Sequence, residues 1–310
     1  MKSRWWIYQQ ERFPVFKHGL LIAAFSSAAV SYSFLLRDRL GSQSLLRSPG
    51  SLLIAFVILF LFFLQLRIAD EFKDYKEDCR YRPYRPVPRG LIALWELGIV
   101  AIAAGVIQFG LALSMGMPMV LLLVGIWGYI GLMSAEFFVP RWLKAHPIAY
   151  LLTHALVTPL IALYGTACDW LAVGSSFPSE ILYFLLVSLL GSIVFEVGRK
   201  IHQPQDEEPG VQSYSSLWGH QRAATVWLAL VLGLALTVLT AVMPLQFLAP
   251  TLLALLVLMT VSILVTWQFL FRPSANKRLS FETMSGVWLL VGYSWVGIIP
   301  LLIQEITSLK

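Results

Sequence analysis

Nine long apolar runs dominate this sequence and restrict the possible folds more than any other feature. The runs lie at about residues 18–36, 51–69, 90–115, 117–139, 147–170, 180–198, 223–243, 247–271 and 284–303. Each is close to the ~20 residues that an α-helix needs to cross the hydrocarbon core of a bilayer. We therefore predict an all-α, polytopic membrane protein whose nine transmembrane helices are arranged around a central cavity.

The overall composition agrees with this interpretation. Hydrophobic residues make up 58% of the 310 residues, and the mean hydropathy is +0.73. No stretch between the runs is long enough to form a soluble domain, so we expect residues 1–310 to form a single transmembrane domain. The only two cysteines, Cys79 and Cys168, are predicted at opposite membrane faces, which argues against a disulfide between them.

The distribution of basic residues predicts the topology. Of the 23 Lys and Arg residues, all but Arg37, Arg39, Arg47 and Lys310 fall before the first run or in alternate loops. By the positive-inside rule, those loops and the amino terminus are cytoplasmic. Because topology and a phosphate site account for the net charge of +6, we expect no nucleic acid partner.

The loop from Arg67 to Gly90 concentrates charged residues in a chain where only 13% of residues are charged. Asp70, Asp74 and Asp78 recur at i, i+4 and i+8, so a continuous helix would present them on one face, with Glu71 beside them. Such a face gains stability from a divalent cation, and oxygen ligands suit Mg²⁺. Guanidinium groups bind phosphate oxygens, and the loop continues with Arg80, Arg82, Arg85 and Arg89. The pattern predicts a magnesium and diphosphate site at a membrane surface.

A second charged loop, from Glu196 to Gly219, is predicted on the same cytoplasmic side. Glu196 lies at the end of the sixth run, with Arg199 and Lys200 about one turn on. His202 and Asp206 repeat the i, i+4 spacing. Together the two loops are expected to build a polar pocket that is open to the cytoplasm and lined below by apolar helices.

These residues resemble the UbiA superfamily of intramembrane prenyltransferases. The family has nine transmembrane helices and a first motif NDxxDxxxD after helix 2, where this chain reads DExxDxxxD from Asp70 to Asp78. The following RPYRPVPRG, residues 82–90, is similar to the family's NRPxRPxPxG continuation. After helix 6, GVQSYSSLWG at residues 210–219 resembles the family's second region more loosely.

The resemblance implies roles for individual residues. It implies one Mg²⁺ bound by Asp70, Glu71, Asp74 and Asp78, and a second bound with help from Glu196 and Asp206. The cations available to an isoprenyl diphosphate are Arg80, Arg82, Arg85, Arg199 and Lys200. Asp70, Asp74, Asp78, Glu196 and Asp206 then form the catalytic set.

The resemblance also implies a setting for the reaction. The partners are a prenyl diphosphate, a lipophilic or aromatic acceptor and membrane lipids. The protein would be integral to a prokaryotic plasma membrane, and its active site would face the cytoplasm.

Departures from the family pattern leave alternatives open. Asp70-Glu71 replaces the leading Asn-Asp, and the second DxxxD is replaced by Glu196xxxLys200 and His202xxxAsp206. One alternative is a UbiA-type terpene cyclase, in which the alkene of the substrate attacks the cation. Another is a membrane protein that binds lipid diphosphates without turnover. A further alternative for the first loop is a solvated, positive-inside loop in which Lys73 and Lys76 pair with Asp70 and Asp74 at helical spacing. This alternative explains neither the RPxRPxP run nor the three acids in one register.

His154, Glu96, Gln108 and Glu136 are further polar residues within or at the ends of apolar runs. Polar groups at membrane depth are costly and often functional, so each is a candidate for the lining of a cavity. For His154, a hydrogen bond to a neighbouring helix is the expected explanation. His202 and His220 are interpreted as interfacial polar residues rather than metal ligands.

Overall fold

The structure, a computed structural model, describes residues 3–38, 50–207, 211, 213–271 and 280–308. Within these residues, nine helical segments are long and apolar enough to span a membrane. They are Val15–Arg37, Gly50–Lys73, Leu94–Met115, Met117–Ser134, Pro147–Trp170, Ile181–Gly198, His220–Leu245, Leu248–Phe271 and Phe281–Thr307. The prediction of an all-helical membrane protein is therefore confirmed, whereas the side on which the amino terminus lies stays a prediction.

The chain divides into two compact units. Among the described residues, unit 1 comprises those within 1–30 and 47–177, and unit 2 comprises those within 31–46 and 178–310. The helices of unit 1 are α1 (Arg4–Arg12), the first part of α2 (Val15–Arg37), α3 (Gly50–Lys73), α4 (Tyr75–Tyr81), α5 (Leu94–Met115), α6 (Met117–Ser134), α7 (Pro140–Ala145), α8 (Pro147–Ala155) and α9 (Val157–Trp170). Those of unit 2 are α10 (Ile181–Gly198), α11 (Tyr214–Trp218), α12 (His220–Val242), α13 (Leu248–Phe271), α14 (Phe281–Tyr293) and α15 (Ile299–Ser308). The single domain expected from the sequence stays a prediction.

Prolines interrupt two of the predicted spans. The fifth span consists of α8 and α9, which meet at Leu156. Pro159 lies in the first turn of α9 and has no N–H to donate to the carbonyl of Ala155, so a regular helix cannot continue through this point. The ninth span contains a π-helical turn at Ser294–Ile298, which ends two residues before Pro300. A missing donor at Pro300 explains why the hydrogen-bond pattern changes there.

Unit 1 places the first charged loop at the end of α3. In this unit α3 packs against α5, α6 and α9. Near its carboxyl end, Ile68 is buried in a cluster with Tyr8 of α1 and with Val87 and Leu97. This apolar cluster fixes α1 and the segment after α4 next to the last turns of α3, because close-packed side chains leave little room for displacement.

Unit 2 places the end of α10 against α12 and α14. Gly198 is buried, and a Cβ atom there would lie 2.9 Å from both Phe281 O and Trp227 Nε1. Trp227 Nε1 donates to Ser285 Oγ (2.9 Å), and Ser285 Oγ donates to Val194 O (3.1 Å). Only glycine allows this close approach, which holds the segment that carries Glu196 in place.

Candidate active site

The first aspartate-rich motif of unit 1 lies at the junction of α3 and α4. The α3 helix ends at Lys73, and Asp74 precedes α4 with φ −90° and ψ 0°. Helical hydrogen bonding persists across the break, since Asp74 N donates to Asp70 O (2.9 Å) and Asp78 N donates to Asp74 O (2.8 Å). The aspartates are therefore successive along one helical path, but their side chains have different surroundings.

Glu71 is buried in an ion-pair network with arginines. Its side chain is 1% exposed, Arg12 Nε donates to Glu71 Oε1 at 2.5 Å, and Arg67 Nη2 lies 3.2 Å from the same oxygen. Burial and the neighbouring Glu71 carboxylate raise the pKa of Tyr8, which stays a neutral phenol. A carboxylate enclosed in this way needs its cations, because an unpaired buried charge is costly.

Asp78 is the second carboxylate that arginines enclose. Its side chain is 4% exposed, and Arg85 Nη1 donates to both of its carboxylate oxygens at 2.8 and 2.7 Å. Arg82 Nη1 lies 3.5 Å from Asp78 Oδ1, and Arg12 Nη2 lies 3.8 Å from Asp78 Oδ2. Arg82 and Arg85, expected to bind diphosphate, are thus turned towards Asp78. Arg80 is exposed instead, with its guanidinium 5.1 Å from the ring centre of Tyr81.

Asp70 and Asp74 have fewer compensating charges. The Asp70 side chain is 42% exposed, and Arg67 Nη1 lies 3.9 Å from Asp70 Oδ2. Burial raises the pKa of Asp74, an effect that Lys73 opposes and that the neighbouring Asp70 carboxylate strengthens. These two carboxylates therefore form a partly accessible pair to which a cation would bind favourably.

The second charged region lies in unit 2, where Glu196 is already paired. Arg199 Nε donates to Glu196 Oε2 (2.6 Å), and Lys200 Nζ lies 2.8 Å from Glu196 Oε1. Asp206 lies in the short 3₁₀ turn Pro204–Asp206 and is exposed. The i, i+3 and i, i+4 spacing of the two bases thus places both cations on a single carboxylate.

Glu207 organises the rest of this loop. Its carboxylate accepts hydrogen bonds from Ser213 Oγ (2.7 Å) and Ser215 Oγ (2.6 Å). Ser215 Oγ in turn accepts from His202 N (2.9 Å), and Tyr214 N donates to Lys200 O (2.9 Å). Hydrogen bonds of Ser213 and Ser215 therefore connect the GVQSYSSLWG segment to Glu207 and to the backbone of His202. Glu208, Gly210 and Gln212 lie outside the described residues.

Comparison of the sequence with known protein families identifies the family of the chain. The sequence model described as the UbiA prenyltransferase family matches residues 40–290. The chain belongs to the UbiA prenyltransferase family. No curated protein is similar enough to the chain to count as a match.

Solved structures of UbiA homologues share the fold. The apo structure of a UbiA homolog from Aeropyrum pernix K1 is 16% identical, with a TM-score of 0.66 over 94% of this chain and 98% of that chain. A structure described as digeranylgeranylglyceryl phosphate synthase in membranes is 17% identical, with a TM-score of 0.54 over 93% of both chains. A UbiA homolog from Archaeoglobus fulgidus bound to GPP and Mg²⁺ is 15% identical, with a TM-score of 0.51 over 93% of this chain and 99% of that chain.

Sequence reasoning missed the residues that hold the motif of this UbiA protein in place. Arg12 counted only as a topology determinant, yet its side chain contacts the carboxylates of Glu71 and Asp78. The position of Arg12 directly before Phe13-Pro14 and the first span was its only sequence signal. Contacts between residues far apart in the sequence do not follow from helical periodicity, so this role could not be read from the motif.

Two of the polar residues that were candidates for a cavity lining, Glu96 and Gln108, have hydrogen-bond partners within the protein. Glu96 caps its own helix by accepting from Ala93 N (2.9 Å) and pairs with Arg4 (2.6 Å). Gln108 is buried and links three helices, since it donates to Ile58 O (3.0 Å) and accepts from Trp127 Nε1 (3.2 Å). These contacts satisfy polar groups at membrane depth, as a bilayer requires.

Phe72 lies away from the carboxylate pair. It lines a groove of about 420 Å³ between α3, α5 and α6, together with Gln65, Ile68, Ala69, Ala101, Gly105, Trp127, Ile130 and Gly131. On a helix, Phe72 points about 200° from Asp70 and from Asp74. Its ring therefore faces this largely apolar groove rather than the two carboxylates.

Proposed function

We propose that this UbiA family member transfers an isoprenyl group from a prenyl diphosphate to a lipophilic or aromatic acceptor within the membrane, with Mg²⁺ as cofactor. Family membership supports prenyl diphosphate chemistry. One structural observation carries the proposal. Among the residues that the structure describes, no arginine lies within hydrogen-bonding distance of Asp70 or Asp74, which are in the register of the family's first motif, while the carboxylates of Glu71 and Asp78 are enclosed by arginines.

A single Mg²⁺ fits the Asp70 and Asp74 pair. Within the described ranges, no group of three or more His, Cys, Asp or Glu side chains is placed to hold a metal ion. Mg²⁺ does not require such a group, because it is commonly bound by one or two carboxylates, several waters and substrate phosphates. A homologue of the same fold is bound to GPP and Mg²⁺, which supports the same pairing of ligand and ion here.

A second ion at Glu196 fits the residues less well. Both oxygens of this carboxylate are paired with cations, Arg199 on one and Lys200 on the other. A dication would have to displace one of these pairs. In other family members, a metal ion bound by the second motif would supply positive charge. We propose that Arg199 and Lys200 supply part of that charge in this protein.

The proposed chemistry needs positive charge at the leaving group. As the C–O bond to the diphosphate breaks, an allylic carbocation forms and negative charge grows on the diphosphate oxygens. Bound Mg²⁺ would neutralise part of that charge. Arg80 is exposed and free of acidic partners within the described part of the chain, so it is the arginine of the first loop most available to the leaving group. The acceptor then forms the new carbon bond and loses a proton.

The roles of Glu71 and Asp78 follow from their arginines. Both carboxylates hold the α3–α4 junction to α1 and to the segment after α4. We propose that they orient Asp70 and Asp74 and that Arg82 and Arg85 bind substrate only after releasing Asp78.

The charge distribution supports a cytoplasmic location for the amino terminus and the active site. The location of the protein in a prokaryotic plasma membrane stays a prediction.

The test is diphosphate release by the purified protein. Prenyl diphosphates of several chain lengths are incubated with Mg²⁺, with and without candidate acceptors, and both diphosphate and prenylated product are measured. Release that depends on acceptor and on Mg²⁺ supports the proposal. Release without acceptor, with a cyclic hydrocarbon as product, would indicate a terpene cyclase. Absence of release with every substrate would leave a non-catalytic binding protein.

A further inference from the structure

A polar cluster in unit 1 lies beside the proposed metal site and is separate from the carboxylates assigned to it. Lys73 is the last residue of α3, and Tyr150 and His154 lie one turn apart on α8. Lys73 Nζ donates to Tyr150 Oη at 2.6 Å and lies 3.4 Å from His154 Nε2. All three side chains are partly buried. An ammonium group is thus held between two neutral side chains.

The hydrogen bonds fix the orientation of both aromatic rings. His154 Nδ1 lies 2.9 Å from Tyr150 O, which can only accept, so Nδ1 carries the proton and Nε2 is an acceptor in the neutral ring. The two rings stack with centroids 3.9 Å apart and planes 14° apart. Both His154 Nε2 and Tyr150 Oη therefore accept from the same ammonium group.

Two donors of this cluster remain available. The ammonium has three N–H groups, and two of them are used by Tyr150 and His154. The Tyr150 hydroxyl accepts from Lys73 and keeps its own proton for donation. In the portion of the chain that the structure describes, neither donor has an acceptor, and no carboxylate oxygen lies within 4.0 Å of Lys73 Nζ.

A partly buried cation with two adjacent donors has the chemistry of an oxyanion receptor. A buried ammonium is costly unless negative charge compensates it, and in the metal-free protein the nearby carboxylates of Asp70 and Asp74 supply that charge to Lys73. Hydrogen bonds from charged donors to anionic oxygens are strong. The neighbouring carboxylates, Asp70 and Asp74, are assigned to Mg²⁺ under the proposed function. With a dication bound there, Lys73 requires another negative partner.

We infer that Lys73 and Tyr150 form an oxyanion-binding pair, oriented by His154, for a phosphate or carboxylate group of a substrate. The inference rests on the proposed function and adds a substrate contact to it. Two sources carry the same chemistry, namely the diphosphate of the prenyl donor and an acidic group on the acceptor. The donor atoms lie 2.6 Å apart, so they can contact one oxygen together or two oxygens of one group.

The experiment measures binding rather than turnover. Calorimetric titrations of the purified full-length protein use inorganic pyrophosphate with Mg²⁺, inorganic phosphate and benzoate as probes. The variants are Lys73→Met, which removes the charge at similar length, and Tyr150→Phe, which removes one oxygen. The control is Lys76→Met, an exposed lysine on α4. We expect about a tenfold or greater loss of affinity in both variants and none in the control, since hydrogen bonds to charged groups are worth that much.

Each outcome decides the inference. Loss of pyrophosphate affinity assigns the pair to the prenyl donor, whereas loss of benzoate or phosphate affinity alone assigns it to an acidic acceptor. Unchanged affinity for all three probes in folded Tyr150→Phe overturns the inference even if Lys73→Met fails to fold, and so does a wild-type protein that binds none of them. Because binding needs no turnover, a wild-type protein that binds a probe but releases no diphosphate refutes only the proposed function.

Discussion

Arg12 Nε donates to Glu71 Oε1 at 2.5 Å, although the two residues are 59 positions apart in the chain. Both side chains are almost fully buried, and Arg12 also approaches Asp78. The amphipathic helix α1 is thereby tied to the first aspartate-rich motif. This short helix, which precedes the first membrane span, is thus part of the support of the candidate active site.

Arg12→Gln should destabilise the protein strongly. The substitution leaves Glu71 with less positive charge in a buried setting, and breaking a buried pair costs about 3–5 kcal/mol. Arg4→Gln is the matched control, because Arg4 is half-exposed in its pair with Glu96 and such pairs are worth about 0–1 kcal/mol. Thermal unfolding in detergent compares the two variants. Equal melting temperatures would contradict the assigned role of Arg12.

Asp74→Ala should abolish diphosphate release while the protein stays folded. The change removes one of two carboxylates proposed for Mg²⁺, so we expect a loss of activity of at least about 100-fold, in the range of removing one charge-stabilising group. Glu77→Gln is the control, since Glu77 pairs with Lys144 on an exposed surface at 2.5 Å. Turnover by Asp74→Ala close to that of wild type would refute the metal role.

The metal-free protein should become more stable when Asp74 is replaced by Asn. Burial raises the pKa of Asp74, so ionisation of this carboxylate costs stability. The stability linked to the protonated form is present below the ordinary pKa of aspartate and is lost as pH rises through the raised pKa. In the presence of a chelator, Asp74→Asn should therefore raise the melting temperature at pH 7, and the difference should fade towards pH 4. A gain that persists unchanged at low pH would exclude this explanation.

Gly198→Ala should disrupt unit 2. A Cβ atom at Gly198 would meet Ser285 Oγ, Phe281 O and Trp227 Nε1, and overpacking of a tight core costs about 1–3 kcal/mol or more. Gly233→Ala is the control, because its Cβ would meet only Leu190 Cδ1 at 3.9 Å. There alanine is expected to stabilise the helix by roughly 0.5–1 kcal/mol. Opposite shifts in melting temperature confirm the prediction, and parallel shifts contradict it.

Most of the fold could be predicted from local sequence patterns. The apolar runs gave the membrane-spanning helices, since the cost of burying unpaired backbone in lipid leaves few alternatives. The points at which helices are interrupted were harder to predict from the sequence. Pro159 lies within the apolar run at residues 147–170, but a proline tolerated in a continuous helix and one that separates α8 from α9 have the same sequence pattern.

For the candidate site, the sequence determined which groups are present, and the tertiary structure decided how they are shared. The spacing of Asp70, Asp74 and Asp78 predicted one acidic face, and their residue types suit magnesium and diphosphate. Only the folded chain brings Arg12 to Glu71, Arg85 to Asp78, and Tyr150 to Lys73. The physical reason is that a carboxylate or ammonium is neutralised by whichever group packing places within about 4 Å, and packing partners far apart in sequence leave no periodic signal.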